Sequence, residues 1–349
     1  MEVEFGFSGG QPFDFDIFPF HAGGPSRAER FERGLLRREA RRKMDSRIRA
    51  AIAVRNLRFR IYSIEETWAE PRYRCPDAIV LDDVDAESRN HRVERMLQVN
   101  RTSQITLLRA PELQTISGVL HAFSTRRAEH NEFTLGPDAS SNPAIALNRA
   151  RFLAAAGMPG WPLLKLRQVH SGAVRIMKDT WAANEPLEGD AAITDRRGVA
   201  LCVQTADCVP ILISHREARC VAAVHAGWRG TAEGIARSAV SRLIEEYGIR
   251  ASDLVAVIGP HNAVCCYEVG DDVVQAVDYP DAFLQRSEWA KPHFDQARAN
   301  LYQLRQAGIP EAQIVVSNLC TQCRSDLFFS HRREGARAGR LLSIIGIAP

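Results

Sequence analysis

Residues 199–230 read VALCVQTADCVPILISHREARCVAAVHAGWRG. Three apolar runs, 199–205, 209–214 and 220–225, have strand length and are separated by polar or turn-forming residues. The third leads through Gly227-Trp228-Arg229-Gly230 into residues 231–247, where Ile235, Ala239, Leu243 and Ile244 make a helical stripe that stops at Gly248. Strands feeding a helix predict an α/β domain, and the flanking sequence extends the pattern both ways.

Toward the N-terminus, residues 163–169 and 191–194 read as strands. Residues 144–156 read as a helix, with Ile145, Leu147, Phe152 and Leu153 among its apolar positions and Gly157 as its stop. Toward the C-terminus, 254–258, 314–316 and 341–347 read as strands, and 271–277 and 297–307 as helices. The α/β pattern begins near Ile116. Upstream, residues 1–24 are rich in Gly, Phe and Asp, and Arg crowds residues 27–60, including Arg37-Arg38 and Arg41-Arg42-Lys43. Residues 1–105 are read as a basic extension, disordered or partly helical; a nucleic-acid-binding arm competes with that reading, as does a start of translation at Met44 or Met96. Residues 106–349 are read as a single catalytic domain.

With 45% apolar residues, 25% charged residues and a net charge of +3, the 349-residue chain has a soluble globular profile and no bulk electrostatic demand for nucleic acid or membrane. No apolar run approaches a membrane span, and the N-terminus lacks the basic-then-apolar order of a signal peptide. Eight cysteines in so long a chain do not resemble a secreted disulfide framework, so the expectation is a cytoplasmic protein with reduced thiols.

Three metal-ligating side chains stand where apolar runs end. His170 closes 163–169, in Gln168-Val169-His170-Ser171-Gly172. Cys208 joins two runs, in Thr205-Ala206-Asp207-Cys208-Val209-Pro210, and His225 follows Val224. Two imidazoles and a thiolate suit zinc, and three protein ligands rather than four leave a position for water or substrate. Singly, each residue is better read as a buried core residue; their shared position at strand ends beside Gly-containing turns reverses that and favours a site. Asp190 and Asp207 can orient a ligand imidazole or move a proton, and Asp190 is the preferred of the two. Amides at Gly227–Gly230 with Arg229 form an anion site, unless Thr231 is an ordinary N-cap. Arg332 and Arg333 after His331 bind an anion or lie in a solvated basic loop. Cys265-Cys266 and Cys320-Thr321-Gln322-Cys323 allow a four-thiolate zinc site, but the adjacency of the first pair argues for ordinary thiols near the core.

Several segments together carry a resemblance: His121-Ala122-Phe123-Ser124-Thr125-Arg126, Arg167-Gln168-Val169-His170, Gly189-Asp190-Ala191, Thr205-Ala206-Asp207-Cys208, His225-Ala226-Gly227-Trp228-Arg229-Gly230, Ile258-Gly259-Pro260 with Cys265-Cys266-Tyr267-Glu268-Val269, and Phe329-Ser330-His331-Arg332-Arg333. From His121 onward the chain resembles the laccase-domain family, also called polyphenol oxidases or YfiH-type purine nucleoside phosphorylases. The resemblance implies a layered αββα-type α/β sandwich with mixed sheets and one zinc on His170, Cys208 and His225. It implies phosphorolysis of adenosine, inosine, guanosine and methylthioadenosine, with adenosine deamination as a further activity. Catalysis then falls to His170, Cys208, His225 and Asp190, and substrate and phosphate to Arg126, Trp228, Arg229 and Arg332. The chain departs from the family pattern at Arg127-Ala128-Glu129-His130 and at His261-Asn262-Ala263-Val264.

Three alternatives accompany this reading. A copper-dependent polyphenol oxidase would need several histidines, commonly paired as His-x-His; ten histidines without one such pair make copper the less favoured metal. A Cys–His hydrolase would use Cys208 as nucleophile with His225 or His170 as base. A non-enzymatic module would bind a nucleotide or a cell-wall precursor. The expected partners are purine nucleosides and phosphate, and the expected state is a monomer or small homo-oligomer.

Overall fold

The computed structural model describes residues 97–101, 105–129, 131–136, 142–178, 187–287 and 289–349. The expectations for the Arg-rich stretch fall outside these residues. Two mixed sheets dominate. The first runs β1 (Gln98–Arg101), β2 (Ile105–Arg109), β3 (Val119–Ala128), β15 (Leu341–Ile347), β8 (Ala200–Thr205), β5 (Leu163–Lys165), with β4 (Asn131–Glu132) paired to β3. The second runs β14 (Ile314–Val316), β11 (Leu254–Ile258), β9 (Val209–His215), β10 (Val221–Ala226), β7 (Ala191–Thr194), β6 (Val174–Ile176). Pairs inside each sheet are antiparallel, whereas β5 on β8, β14 on β11 and β6 on β7 are parallel. A small ladder pairs β12 (Phe283–Leu284) with β13 (His293–Phe294).

Alternation along the strands builds the layers. Leu201 and Val203 of β8 and Leu341, Ile345 and Ile347 of β15 share one buried cluster with Leu212 of β9 and Val221 and Ala223 of β10, so the two sheets pack face to face. The alternate residues point outward to helices. On the first sheet, Ala200, Cys202, Leu342 and Ile344 meet Phe152, Leu153 and Ala156 of a helix over Pro143–Ala156. On the second, Ile211, Ile213, Ala222 and Val224 meet Ala236, Ala239, Val240 and Leu243 of a helix over Ile235–Tyr247. Helix, sheet, sheet, helix is the αββα order expected. Each fully buried Leu or Ile in these layers contributes roughly 1.5–3 kcal/mol.

Four local expectations need correction. The helix expected over 231–247 is two helices, Trp228–Glu233 and Ile235–Tyr247, broken at Gly234, whose φ of 82° is left-handed. Thr231 is accordingly no N-cap: it lies within the first of these helices, and Gly227 stands at the N-cap. The strand expected over 163–169 stops at Lys165, because residues 169–171 are drawn to Asp190 as described below. Finally, the domain boundary placed after residue 105 falls at the start of β2, whose partner β1 lies on the other side of it. No helix among the described residues is long and apolar enough to cross a membrane.

Candidate metal centre

The candidate site forms where the chain passes between the two sheets. Cys208 sits on the link from β8, in the first sheet, to β9, in the second; His170 sits on the link from β5 to β6, which makes the same crossing. His225 is the penultimate residue of β10. Val224 of β10 faces Ala191 of β7, which brings His225 beside Asp190, the residue that precedes β7. One ligand atom from each of His170, Cys208 and His225 lies within 4.8 Å of the other two. The two imidazole rings meet edge to face with centroids 4.9 Å apart, and Cys208 Sγ is 3.8 Å from His170 Nε2.

Asp190 organises this cluster from behind. Its buried carboxylate accepts from the amides of Val169 at 3.2 Å, His170 at 3.0 Å and Ser171 at 2.7 Å, and from Ser171 Oγ at 2.8 Å. These successive amides form a concave anion nest, and His170 adopts a positive φ of 60° within it. The same carboxylate holds His225 Nδ1 at 2.8 Å, which leaves Nε2 directed at the cluster. Burial works to raise the Asp190 carboxyl, yet the hydrogen bonds from His225 and Ser171 outweigh it and hold it at about 2. Without metal, burial also opposes ionisation of Cys208 and His225. Their mutual attraction, with Asp190 behind His225, nonetheless brings the thiol down to about 6 and the imidazole up to about 9. Gly227 is required by this crowding: a Cβ there would stand 2.8 Å from His170 Cδ2 and 3.2 Å from Cys208 Sγ.

Asp207, the second carboxylate read from the sequence, serves the backbone instead. Its φ is 94°, and its side chain accepts from Thr321 Oγ1 and the Arg332 amide, each at 2.6 Å. Its carbonyl accepts from the Asn262 amide at 2.9 Å and Gln296 Nε2 at 3.3 Å. Cys208 is thereby presented on a braced, left-handed turn.

The four residues assigned to substrate differ in placement. Arg332 donates to the Glu268 carbonyl at 2.9 Å and lies over the Tyr267 ring at 5.4 Å. Arg229 is exposed and stacks over Trp228 at 4.2 Å, while Trp228 packs on the cluster of Val269, Val273 and Phe294. Arg126 is engaged with its own chain: it pairs with Glu132, pairs with Glu334 at 2.8 Å, donates to the carbonyls of Ser325 and Phe328, and stacks over Phe329 at 4.6 Å. Those partners occupy Nη1 and Nη2 and include no member of the trio, while Nε is buried without a hydrogen-bond partner among the described residues. A residue not singled out by itself from sequence also lies within electrostatic reach of the cluster. The Tyr267 phenol is raised, first by burial and then by the charge of Cys208, with Arg332, Asp207 and Arg229 also acting on it. Its signal is its place in Cys265-Cys266-Tyr267-Glu268-Val269, a segment that carries the family resemblance.

Known proteins share this arrangement of chain. The family described as multi-copper polyphenol oxidoreductase laccase matches residues 121–348. A protein of Bacteroides thetaiotaomicron named purine nucleoside phosphorylase is 34% identical over 71% of this chain and 99% of its own. A protein from an unknown prokaryotic organism, named adenosine deaminase RL5, is 37% identical over 51% of this chain and 72% of its own. The crystal structure of YlmD from Geobacillus stearothermophilus superposes with a TM-score of 0.64 at 30% identity, covering 72% of this chain and 99% of that one. By fold and by sequence, the chain belongs to the laccase-domain family that these proteins represent.

Proposed function

We propose that the chain is a purine nucleoside phosphorylase that holds one zinc ion on His170, Cys208 and His225 and also deaminates adenosine. The observation that carries this reading is the convergence of two nitrogens and one sulfur within 4.8 Å, with Asp190 fixing one imidazole from behind. The donor set fits zinc: it mixes nitrogen and sulfur, numbers three, and offers no second group of histidines for a copper cluster among the described residues. Zinc bound there would supply a Lewis acid able to stabilise negative charge and to lower the pKa of a water-derived nucleophile.

The chain's own residues supply the remaining functions. Asp190 keeps the His225 Nδ1 proton engaged, so that Nε2 carries the lone pair toward the cluster. Trp228 and Tyr267 offer aromatic faces of the kind on which a purine stacks. Arg229 and Arg332 stack over those two rings and bring positive charge to the same surface, where phosphate and the departing ribose 1-phosphate are anionic. Relatives named purine nucleoside phosphorylase and adenosine deaminase support the two reactions. On this reading the protein works in the cytoplasm on free nucleosides.

The test is incubation of adenosine with the enzyme, with and without phosphate, followed by chromatography and elemental analysis. Adenine that appears only with phosphate, inosine that appears without it, and one zinc at the trio are the expected results. Absence of base, inosine and hypoxanthine under all conditions would reduce the protein to a binding module. The low thiol and raised imidazole of Cys208 and His225 favour a Cys–His hydrolase as second reading. Full activity after chelation, abolished by a thiol reagent, would establish that one instead.

A further inference from the structure

A second cluster of sulfurs lies on two turns that the proposed reaction does not use. In the first turn the amides of Cys266 and Tyr267 both donate to the Ala263 carbonyl, at 2.9 and 3.0 Å. In the second the Arg324 amide returns to the Cys320 carbonyl at 3.0 Å. A parallel bridge between His261 and Cys320 joins them, and the Thr321 amide donates to the His261 carbonyl at 2.9 Å. Neighbouring cysteines on an extended strand would point to opposite faces. The turn removes that obstacle, so the adjacency of Cys265 and Cys266 does not keep their sulfurs apart, and the sequence reading of ordinary thiols needs revision. Cys323 Sγ lies 3.6 Å from Cys265 Sγ and 3.3 Å from Cys266 Sγ, and with Cys320 all four sulfurs fall within 4.8 Å of one another. Such separations far exceed a disulfide bond of about 2.05 Å. They bracket the edge of about 3.8 Å expected for a tetrahedron of sulfurs bonded to zinc at roughly 2.3 Å.

We propose that in the reduced chain Cys265, Cys266, Cys320 and Cys323 bind a second, structural zinc ion. Cys265, Cys266 and Cys320 are free thiols, whereas Cys323 is disulfide-bonded. A phosphine or dithiol reductant therefore acts first: two electrons and two protons cleave that disulfide into two thiols, and the reductant is oxidised. Binding then forms four zinc–sulfur bonds as four S–H groups release their protons to solvent.

An orphaned amide points to the same ion. Asn262 is fully buried and places Oδ1 3.8 Å from Cys320 Sγ, while its Nδ2 has no hydrogen-bond partner among the described residues. Half a turn of the amide brings an N–H donor onto that sulfur, the outer contact a metal-bound thiolate accepts. The site also has structural work to do. Thr321, between the two cysteines of the second turn, and Asn262, beside the first turn, both hydrogen-bond Asp207. An ion that joins the turns would stiffen the left-handed residue on which Cys208 is mounted.

The full chain, purified in a phosphine reductant without chelator, tests this by zinc analysis of the wild type, Cys208→Ala and Cys320→Ser/Cys323→Ser. Two zinc ions per chain are expected in the wild type and one in each variant. Cobalt(II) loaded into Cys208→Ala should show the intense sulfur-to-cobalt absorption of a thiolate-rich tetrahedral site. Cys208→Ala protein that is metal-free, or that lacks this absorption, would overturn the proposal, and this holds even where the double variant fails to fold. One zinc in both the wild type and Cys208→Ala would leave the second site standing and remove the trio, so the two readings fail separately.

Discussion

Replacing Asp190 by Asn keeps the size of the side chain and changes what it can accept. One carboxylate oxygen takes the Val169 and Ser171 amides and Ser171 Oγ, and the other takes the His170 amide and His225 Nδ1. Whichever oxygen becomes an NH2 group, at least two donors then face a donor. Leaving a buried donor unpaired costs about 1–3 kcal/mol, so the variant should lose about 2–6 kcal/mol. The Ser171 hydroxyl can turn to accept, which favours the lower half of that range. Where the NH2 group replaces the oxygen that faces His225 Nδ1, that imidazole also loses the acceptor that fixes its tautomer, and loss of such an outer partner lowers metal affinity by about 10–100-fold. Denaturant unfolding of the chelator-treated protein reads the first quantity, and zinc competition against a chromophoric chelator reads the second. Stability within about 0.5 kcal/mol of wild type together with unchanged zinc affinity would refute the argument, because ordinary surface substitutions change no more than that.

Three further outcomes follow from the same geometry. Gly227→Ala places a methyl group 2.8 Å from His170 Cδ2, and since His170 is exposed its ring can swing aside. Circular dichroism and melting should therefore change little, while the affinity of the trio for zinc falls at least about tenfold in competition assays, in line with losses on disturbing a ligand's orientation. Arg229→Ala should retain zinc by elemental analysis and require more phosphate for half-maximal phosphorolysis; an unchanged phosphate dependence removes Arg229 from the anion site. The pH dependence of the metal-free chain separates its charged groups. A depressed carboxyl stabilises above its unfolded value, so the Asp190 contribution is present near neutrality and is lost as pH falls from about 3.8 toward about 2. Raised His225 contributes fully below 6.5 and loses that contribution as pH rises to about 9. Depressed Cys208 contributes fully above 9.0 and loses that contribution as pH falls to about 6. The last two slopes oppose each other over one window, so stability should stay nearly flat there; a steep trend would mean that the pair titrates independently.

What could be read along the chain was whatever neighbours in sequence decide. The strands at 191–194, 254–258, 314–316 and 341–347 lie where their apolar runs placed them, since a short run bounded by turn residues carries its own limits. The helix broken at Gly234 shows how such reading fails: the apolar stripe begins only at Ile235, nothing local stops the helix from being extended back to 231, and the left-handed φ of the glycine is what divides the segment. Roles depend on partners far away. Arg126 is one of four arginines and aromatics assigned to substrate, yet one partner of its guanidinium is Glu334, 208 residues distant. Asp190 looked much like Asp207 in sequence; what separates them is that one faces an imidazole and three amides of another loop, while the other faces Thr321 and Arg332, more than a hundred positions on. Cys265 and Cys266 make the same point in reverse. Their adjacency spoke against a metal site only while an extended backbone was assumed, and the turn that overrides it is stitched to the chain at residue 320 by pairing that no local pattern encodes.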